Sequence, residues 1–257
     1  MRWPSFALLA GEAAFTRLLR PLGFQLQDNY PRPRLKMTGR AYRHQDFPQE
    51  IAQFFVSELH PEQFSESFQS AVTRVLSTSR DPLGAPDVAD LAQLTRDGTL
   101  PLRQALRLLP VMLKCFGRQH GVFAQQDCEL LLAESAEMAW IATDGNAFNH
   151  ATDRVSDVAV VAERQRQLGR PIKAGVEVSA SGRVRQTAFR AATVQREFLT
   201  PSGRVTRGVP GSFYEFITRD ALKAHFAAQE SAQPPLLDLA FDAGNATGIF
   251  AMTAAAA

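Results

Sequence analysis

The chain has 257 residues, enough for one large domain with its own core, and 45% of them are hydrophobic and 21% charged. These values are typical of a globular protein and exclude a disordered chain. Lysine and arginine number 28 and aspartate and glutamate 26, which gives a net charge of +2. No block of basic residues stands out, so we expect no nucleic-acid partner.

The number of cysteines and the lengths of the apolar runs indicate the cellular location of the protein. Cys115 and Cys128 are too few for a disulfide framework, and we expect two reduced, partly buried thiols. No apolar run reaches the ~18 residues that a membrane span needs. The apolar segment 6–10 is too short for the core of a signal peptide. We therefore expect a cytoplasmic protein with no membrane partner.

The first part of the chain predicts a helix followed by extended segments. Hydrophobic residues at helical spacing predict a helix over 5–20, and the Pro-Leu-Gly sequence at 21–23 ends it. Residues 24–43 look extended and rich in loops, and the apolar run at 52–57 is typical of a buried strand. Pro61 stands where a second helix begins. One face of that helix carries four apolar residues: Phe64, Phe68, Val72 and Val75.

The middle of the chain predicts consecutive helices, and the last third predicts strands. The pattern is helical from residue 87 to about 140 and again over 154–168. Residues 176–180 and 184–189 then alternate apolar and polar side chains around a Ser-Gly hairpin signal. Later signals are a turn at 201–203, a strand at 212–217, and Thr218 or Asp220 as the cap of a short helix with Leu222 and Phe226.

This order of elements predicts an α+β fold. We expect a single domain over residues 1–257. It would comprise an N-terminal αβ piece at about 1–80, a helix-rich insert at about 87–168 and a C-terminal sheet at about 172–252.

Several common catalytic motifs are absent from the sequence. It contains no His-Glu-x-x-His pair, no Gly-x-Ser-x-Gly elbow, no phosphate-binding loop and no dinucleotide-binding glycine pattern. What remains is a metal site assembled from scattered residues, or no catalysis.

His150 is the first candidate metal ligand. It lies in the polar, turn-rich segment 144–154, with a small residue after it, and this segment is predicted to open a helix. A histidine there can point into a cavity. The alternative is a surface histidine that caps the helix, and spacing alone leaves both open.

Glu215 is the candidate carboxylate ligand. Strand alternation places Phe213, Glu215 and Ile217 on one face. If that face lines the core, the carboxylate needs a metal or an arginine. If the register is reversed, Glu215 faces solvent. One imidazole and one carboxylate suit Fe(II), and a second histidine would complete a facial triad.

Gln186 and Arg190 are candidate substrate-binding residues. They lie four residues apart on the predicted hairpin strand and so share a face. The planar fork of Arg190 can clamp a substrate carboxylate. The alternative is an ordinary solvated strand face.

Three segments, in order, resemble motifs of one family. They are Phe-Phe-Val-Ser-Glu-Leu at 54–59, Asn-His-Ala-Thr at 149–152 and Val-Pro-Gly-Ser-Phe-Tyr-Glu-Phe at 209–216. The family is the 2-oxoadipate dioxygenase/decarboxylase, or hydroxyglutarate synthase-like, family. The resemblance implies a curved antiparallel or mixed sheet, a cradle related to the vicinal oxygen chelate enzymes.

The same resemblance implies a reaction. It implies Fe(II) held by two histidines and one glutamate, with His150 and Glu215 as two of these three ligands. The implied substrates are O2 and a 2-oxo dicarboxylic acid such as 2-oxoadipate, which would yield a hydroxy acid and CO2. The alternatives are a metal-dependent hydrolase or isomerase on the same scaffold, or an inactive binding module.

The sequence departs from the family at its first metal ligand. The family carries that histidine in an Asp-His-x-Ala-x-Arg-Thr type motif before the first helix, a position that would fall before Met1. Either the chain starts late or the protein is a degenerate member. We expect the 257 residues to bind iron weakly and turn over slowly. The remaining histidines are not expected to be strong ligands, although His60 is the exception to watch: His44, His60, His120 and His225.

Overall fold

The computed structural model describes residues 11–144, 150–222 and 235–241. Its helices are α1 Gly11–Leu19, α2 Glu66–Leu76, α3 Ala85–Asp97, α4 Leu102–Lys114, α5 Gln125–Glu134, α6 Ala136–Asp144 and α7 Val158–Gln167. Its strands are β1 Phe24–Arg32, β2 Met37–His44, β3 Phe54–Leu59, β4 His150–Arg154, β5 Glu177–Val178, β6 Val184–Ala188, β7 Thr193–Thr200, β8 Gly203–Pro210 and β9 Phe213–Arg219. Within these described ranges, no helix has the length and apolar character to cross a membrane.

The chain divides into two compact units. The first unit comprises Met1–Ala147 and Gln195–Gly208, and the second comprises Phe148–Val194 and Val209–Ala257. The expectation of one domain over the whole chain stays a prediction.

The first unit contains a three-stranded antiparallel sheet in the order β1-β2-β3. Aromatic and aliphatic side chains from α1 and all three strands pack together on it, because each strand turns its apolar face inward. The buried members of this cluster are Leu19, Phe24, Tyr42 and Val56.

The helices of the first unit follow the sequence pattern closely. Helix α2 buries Phe68, Val72 and Val75 on the predicted face, but it begins at Glu66 and not at Pro61, so Phe64 precedes it. The later start is fixed by Ser65, whose side chain caps the helix by accepting from the amide of Phe68. A second cluster joins α1, α3 and α4: Leu18, Leu83, Leu91, Leu108, Met112 and Cys115. Both cysteines are free thiols, as the sequence predicts.

The second unit is built on a mixed four-stranded sheet in the order β4-β9-β6-β5. Strand β4 runs parallel to β9, whereas β6 pairs antiparallel with both β9 and β5. Helix α7 packs against β6 and β9. Its first turn is fixed by Asp157, which accepts from the amides of Ala159 and Val160.

The α+β class predicted from the sequence is confirmed by this arrangement of helices and mixed sheets. Besides the start of α2, two predictions about the second half of the chain were wrong. Residues 150–154 form strand β4 rather than opening a helix, because pairing with β9 satisfies their backbone; the helix starts only after Asp157 caps it. Strands β7 and β8 form a separate two-stranded hairpin instead of joining the C-terminal sheet. The predicted helix with Phe226 lies mostly outside the described residues.

Candidate metal centre

The orientation of β9 decides between the two predicted placements of Glu215. Phe213, Glu215 and Ile217 are buried, with Glu215 only 6% exposed, whereas Tyr214 is 41% exposed. The carboxylate therefore points into the protein. Burial of a charged group in this way requires a compensating partner.

Strand register places His150 on the same face as Glu215. In the parallel β4–β9 pair, His150 lies opposite Phe213 and Thr152 lies opposite Glu215. Opposed residues share a face, and alternate residues along a strand share it too. His150 and Glu215 are therefore diagonal neighbours, with Cα atoms about 8 Å apart for ideal strand spacing. Both side chains are long enough to reach an ion between them.

The imidazole of His150 is held by an aromatic neighbour. Its ring stacks on Phe213 with centroids 5.2 Å apart and planes 8° from parallel. Burial lowers the pKa of His150 below its ordinary value. The neutral imidazole is the form of histidine that binds metal ions.

Glu215 has one direct side-chain partner among the described residues, the hydroxyl of Thr152. That hydroxyl donates to Oε2 of Glu215 at 2.8 Å. Burial raises the pKa of Glu215, and this outweighs the lowering effects of the Thr152 hydrogen bond and the nearby charge of Lys173. A bound cation would supply the missing counter-charge.

A polar group continues on the same face of the sheet. Gln186 lies opposite Ile217, and Glu177 lies opposite Gln186, so both side chains face the side that carries Glu215. Lys173 Nζ donates to Glu177 Oε1 at 2.6 Å, and Gln186 Nε2 donates to Glu177 Oε2 at 3.4 Å. The structure thus brings the predicted residue Gln186 onto the face of the candidate ligands.

Arg190 differs from the predicted arrangement. Strand β6 ends at Ala188, so Arg190 lies two residues beyond it and is exposed. Its backbone amide donates to the carbonyl of Pro171 at 2.8 Å. The assumption that Gln186 and Arg190 lie on one regular strand was wrong, because β6 ends at Ala188. Beyond it, single backbone hydrogen bonds continue, from Phe189 to Tyr214 and from Ala192 to Ser212. A role for Arg190 in substrate binding stays a prediction.

The other histidines in the described ranges have partners of their own in the first unit. The Nδ1 atom of His44 accepts from the amides of Asp46 and Phe47. His60 Nε2 lies 2.8 Å from the hydroxyl of Thr38, and buried His120 Nε2 lies 2.7 Å from the carbonyl oxygen of Ala142. His225 lies outside the described residues.

The donor set formed by His150 and Glu215 fits Fe(II). A neutral imidazole and a carboxylate are the ligand types of non-haem iron sites, and a buried carboxylate favours a cation. Across residues 11–144, 150–222 and 235–241, no cluster of three or more His, Cys, Asp and Glu side chains is placed to hold a metal ion. The described part of the chain therefore provides two candidate ligands.

Sequence reasoning missed the contact of Thr152 and the neighbourhood of Lys173. Thr152 follows His150 by two residues, so strand alternation alone places both on one face. Because residues 150–154 were predicted to open a helix, this strand alternation was not used. Lys173 lies in an irregular stretch before β5, where no periodicity identifies its direction.

Solved structures with the same fold include two hydroxyglutarate synthases. A protein of Ralstonia eutropha JMP134, described as belonging to the glyoxalase superfamily, is 57% identical with a TM-score of 0.82 over 90% of this chain and 69% of its own. The hydroxyglutarate synthase of Oryza sativa, in complex with 2-oxoadipate, is 18% identical with a TM-score of 0.70 over 95% of this chain and 76% of its own. That of Pseudomonas putida, in the same complex, is 19% identical with a TM-score of 0.64 over 95% and 57%.

No curated protein matches the chain. The sequence model of the 2-oxoadipate dioxygenase/decarboxylase family, in contrast, matches residues 10–230. The match includes both His150 and Glu215 and extends over nearly all of the described structure. On this evidence, the chain belongs to the 2-oxoadipate dioxygenase/decarboxylase family.

Proposed function

We propose that the protein is an Fe(II)-dependent dioxygenase and decarboxylase of a 2-oxo dicarboxylic acid such as 2-oxoadipate. The reaction combines the 2-oxo acid with O2 and yields CO2 and a hydroxy acid one carbon shorter. Both oxygen atoms of O2 are retained in the products. Family membership and the 2-oxoadipate complexes of two relatives support the substrate class.

One observation carries the proposal. His150 and Glu215 come from segments far apart in the sequence, yet β4–β9 register sets them side by side on one face of the sheet. Glu215 is buried there with a neutral hydroxyl partner instead of a cationic one. An imidazole near a buried carboxylate without a directly bonded cation is a natural place for a divalent cation.

The protein's residues would have distinct roles in the reaction. His150 and Glu215 would hold Fe(II), which supplies the redox chemistry that O2 activation requires. Phe213 keeps the His150 ring in one orientation by stacking on it. Gln186 and Arg190 are the proposed contacts for the substrate's polar groups; strand register puts Gln186 on the same sheet face as Glu215, which supports its part of the proposal.

The proposal is tested by stoichiometry. The Fe(II)-loaded protein is supplied with 2-oxoadipate, and O2 uptake and CO2 release are recorded together. We expect one CO2 per O2 consumed, and loss of both in Glu215→Gln and His150→Gln. Glu129→Gln, which changes an exposed glutamate of α5 in the other unit, is the matched control and should retain the full rate.

Oxygen consumption also separates the alternatives. Product formation without O2 uptake would indicate a hydrolase or isomerase instead. Metal binding without any turnover of 2-oxo acids would indicate a binding protein. The same assay on a chain extended upstream with an Asp-His-x-Ala-x-Arg segment tests the expectation that a third ligand strengthens iron binding. Equal iron affinity in both forms would contradict that expectation.

A further inference from the structure

We propose that Thr152 is the positioning residue for the metal-binding carboxylate: its hydroxyl fixes Oε2 of Glu215 and leaves Oε1 as the oxygen that binds the metal. This inference rests on the proposed function, because it assigns a role toward the same metal. It adds a residue and a mode of ligation, with Glu215 binding through one oxygen.

The register of the β4–β9 pair fixes the contact between Thr152 and Glu215. Thr152 and Glu215 are directly opposed in the β4–β9 pair, and the hydroxyl donates to Oε2 at 2.8 Å. A threonine side chain has a stiff first torsion in a strand, so its hydroxyl direction is set by the backbone. The carboxylate plane is therefore held without a long, flexible partner.

The chemical type of the partner matters as much as its position. An arginine at this place would orient Glu215 but also neutralise it, and it would compete with a cation. The hydroxyl of Thr152 orients the carboxylate and leaves its negative charge in place. Among the described residues, two cations lie near enough to act on Glu215, and both are engaged elsewhere. Lys173 Nζ donates to Glu177 at 2.6 Å, and Arg219 donates to the carbonyl oxygens of Asp238 and Ala240.

The position of Thr152 in the sequence links it to His150. Thr152 lies two residues after His150 on the same strand face, so one short strand carries both a ligand and the residue that orients the other ligand. A shift of β4 by one residue would remove both from the face together. This coupling explains how an exposed edge strand can define the geometry of a buried carboxylate.

The experiment compares Thr152→Val, which removes the hydroxyl but keeps the branched shape, with Thr152→Ser, which keeps the hydroxyl. Affinity for Co(II) is measured by titration of the purified chain, and the visible absorption of the Co(II) form reports the number of ligands. We expect Thr152→Val to weaken Co(II) binding about 10–100-fold and to change the spectrum, as loss of such an outer partner typically does. Thr152→Ser should stay within about threefold of the starting protein and keep its spectrum.

Thr187→Val is the matched control. Thr187 is fully buried in the neighbouring strand β6 and donates to the carbonyl of Gly175, away from Glu215. It should lower thermal stability while leaving Co(II) affinity within about twofold. That contrast separates loss of a hydroxyl in the sheet from loss of the contact with Glu215.

The outcomes distinguish the two proposals. If the starting protein binds Co(II), Glu215→Gln abolishes binding, and Thr152→Val binds as well as the starting protein, only the role of Thr152 is overturned. If the starting protein and Glu215→Gln bind Co(II) equally, the metal centre itself is wrong and the role of Thr152 falls with it. If Thr152→Ser is as impaired as Thr152→Val, shape rather than the hydroxyl is responsible, which also overturns the inference.

Discussion

Glu215, in the second unit, is compensated differently from three buried aspartates of the first unit. In the first unit, three buried aspartates each receive an arginine: Asp90 from Arg107, Asp127 from Arg74 and Asp144 from Arg196. In the second unit, Glu215 is equally buried but receives a threonine hydroxyl. Each aspartate is directly paired with a positive charge, whereas Glu215 has a neutral hydrogen-bond partner and its positive charges only at longer range.

How a buried carboxylate is compensated depends on its own site and not on the unit in which it lies. Asp238, also buried in the second unit, is paired with Arg183 at 2.9 Å. Glu137, buried in the first unit without an arginine, lies in the first turn of α6, where the helix N-terminus favours a negative charge. Glu215 is in the middle of a strand and has neither kind of compensation. A bound cation would compensate the negative charge of a carboxylate in this position.

The largest effect on the free energy of unfolding is expected from breaking the partly buried ion pair between Arg196 and Asp144. Arg196→Met leaves the buried carboxylate of Asp144 uncompensated and removes a hydrogen bond to the carbonyl of Thr143. We expect the free energy of unfolding to fall by about 3 kcal/mol, as measured by urea denaturation. The control is Arg204→Met, whose pair with Glu197 is exposed on both sides and should cost less than about 1 kcal/mol. Equal costs for the two variants would contradict the comparison.

Removing the charge of Glu215, in contrast, is expected to raise the free energy of unfolding. Burial raises its folded-state pKa above the unfolded value, so its contribution to stability is complete below the unfolded pKa of about 4.3 and is lost as pH rises through the folded pKa. Glu215→Gln should therefore stabilise the metal-free protein at pH 7 by roughly 1 kcal/mol. The gain should disappear near pH 4. Denaturation with a chelator present provides the measurement, and a less stable variant at pH 7 would show that Glu215 is already compensated.

The smallest and most local effect concerns two buried imidazoles. Burial lowers the pKa of both His120, in the first unit, and His150, in the second. Their stabilising contributions are present above the unfolded pKa of about 6.5 and are lost as pH falls through the folded values. We expect both ring resonances to titrate below pH 6.5 in NMR spectra of nitrogen-labelled protein. Added Zn(II) should shift the ring signals of His150 and leave those of His120 in place; a shift of both would argue against a specific ligand.

The sequence predicted the elements that depend on local pattern. The apolar face of α2, the β5–β6 hairpin and the alternation of side chains along β9 all follow from spacing within a single segment. Spacing left open which face of β9 points inward. It did not predict β4, because a five-residue polar segment becomes a strand only by pairing with β9. The position of Arg190 was missed for a similar reason, since the end of β6 is set by contacts outside its own sequence. Recognition of the family, from three short motifs, supplied the link between His150 and Glu215 that spacing alone could not.

The parallel pairing of β4 with β9 also has a consequence for how the protein folds. Thr152 and Glu215 are 63 residues apart in sequence, and parallel strands cannot be joined by a tight turn. Their pairing must wait until the chain between them has closed a long loop, a step whose entropy cost makes non-local contacts slow to form. The packing of α5 on α6, in contrast, joins neighbours in the sequence and can form earlier. During synthesis, the sheet face that carries His150, Thr152 and Glu215 therefore cannot assemble until β9 is available.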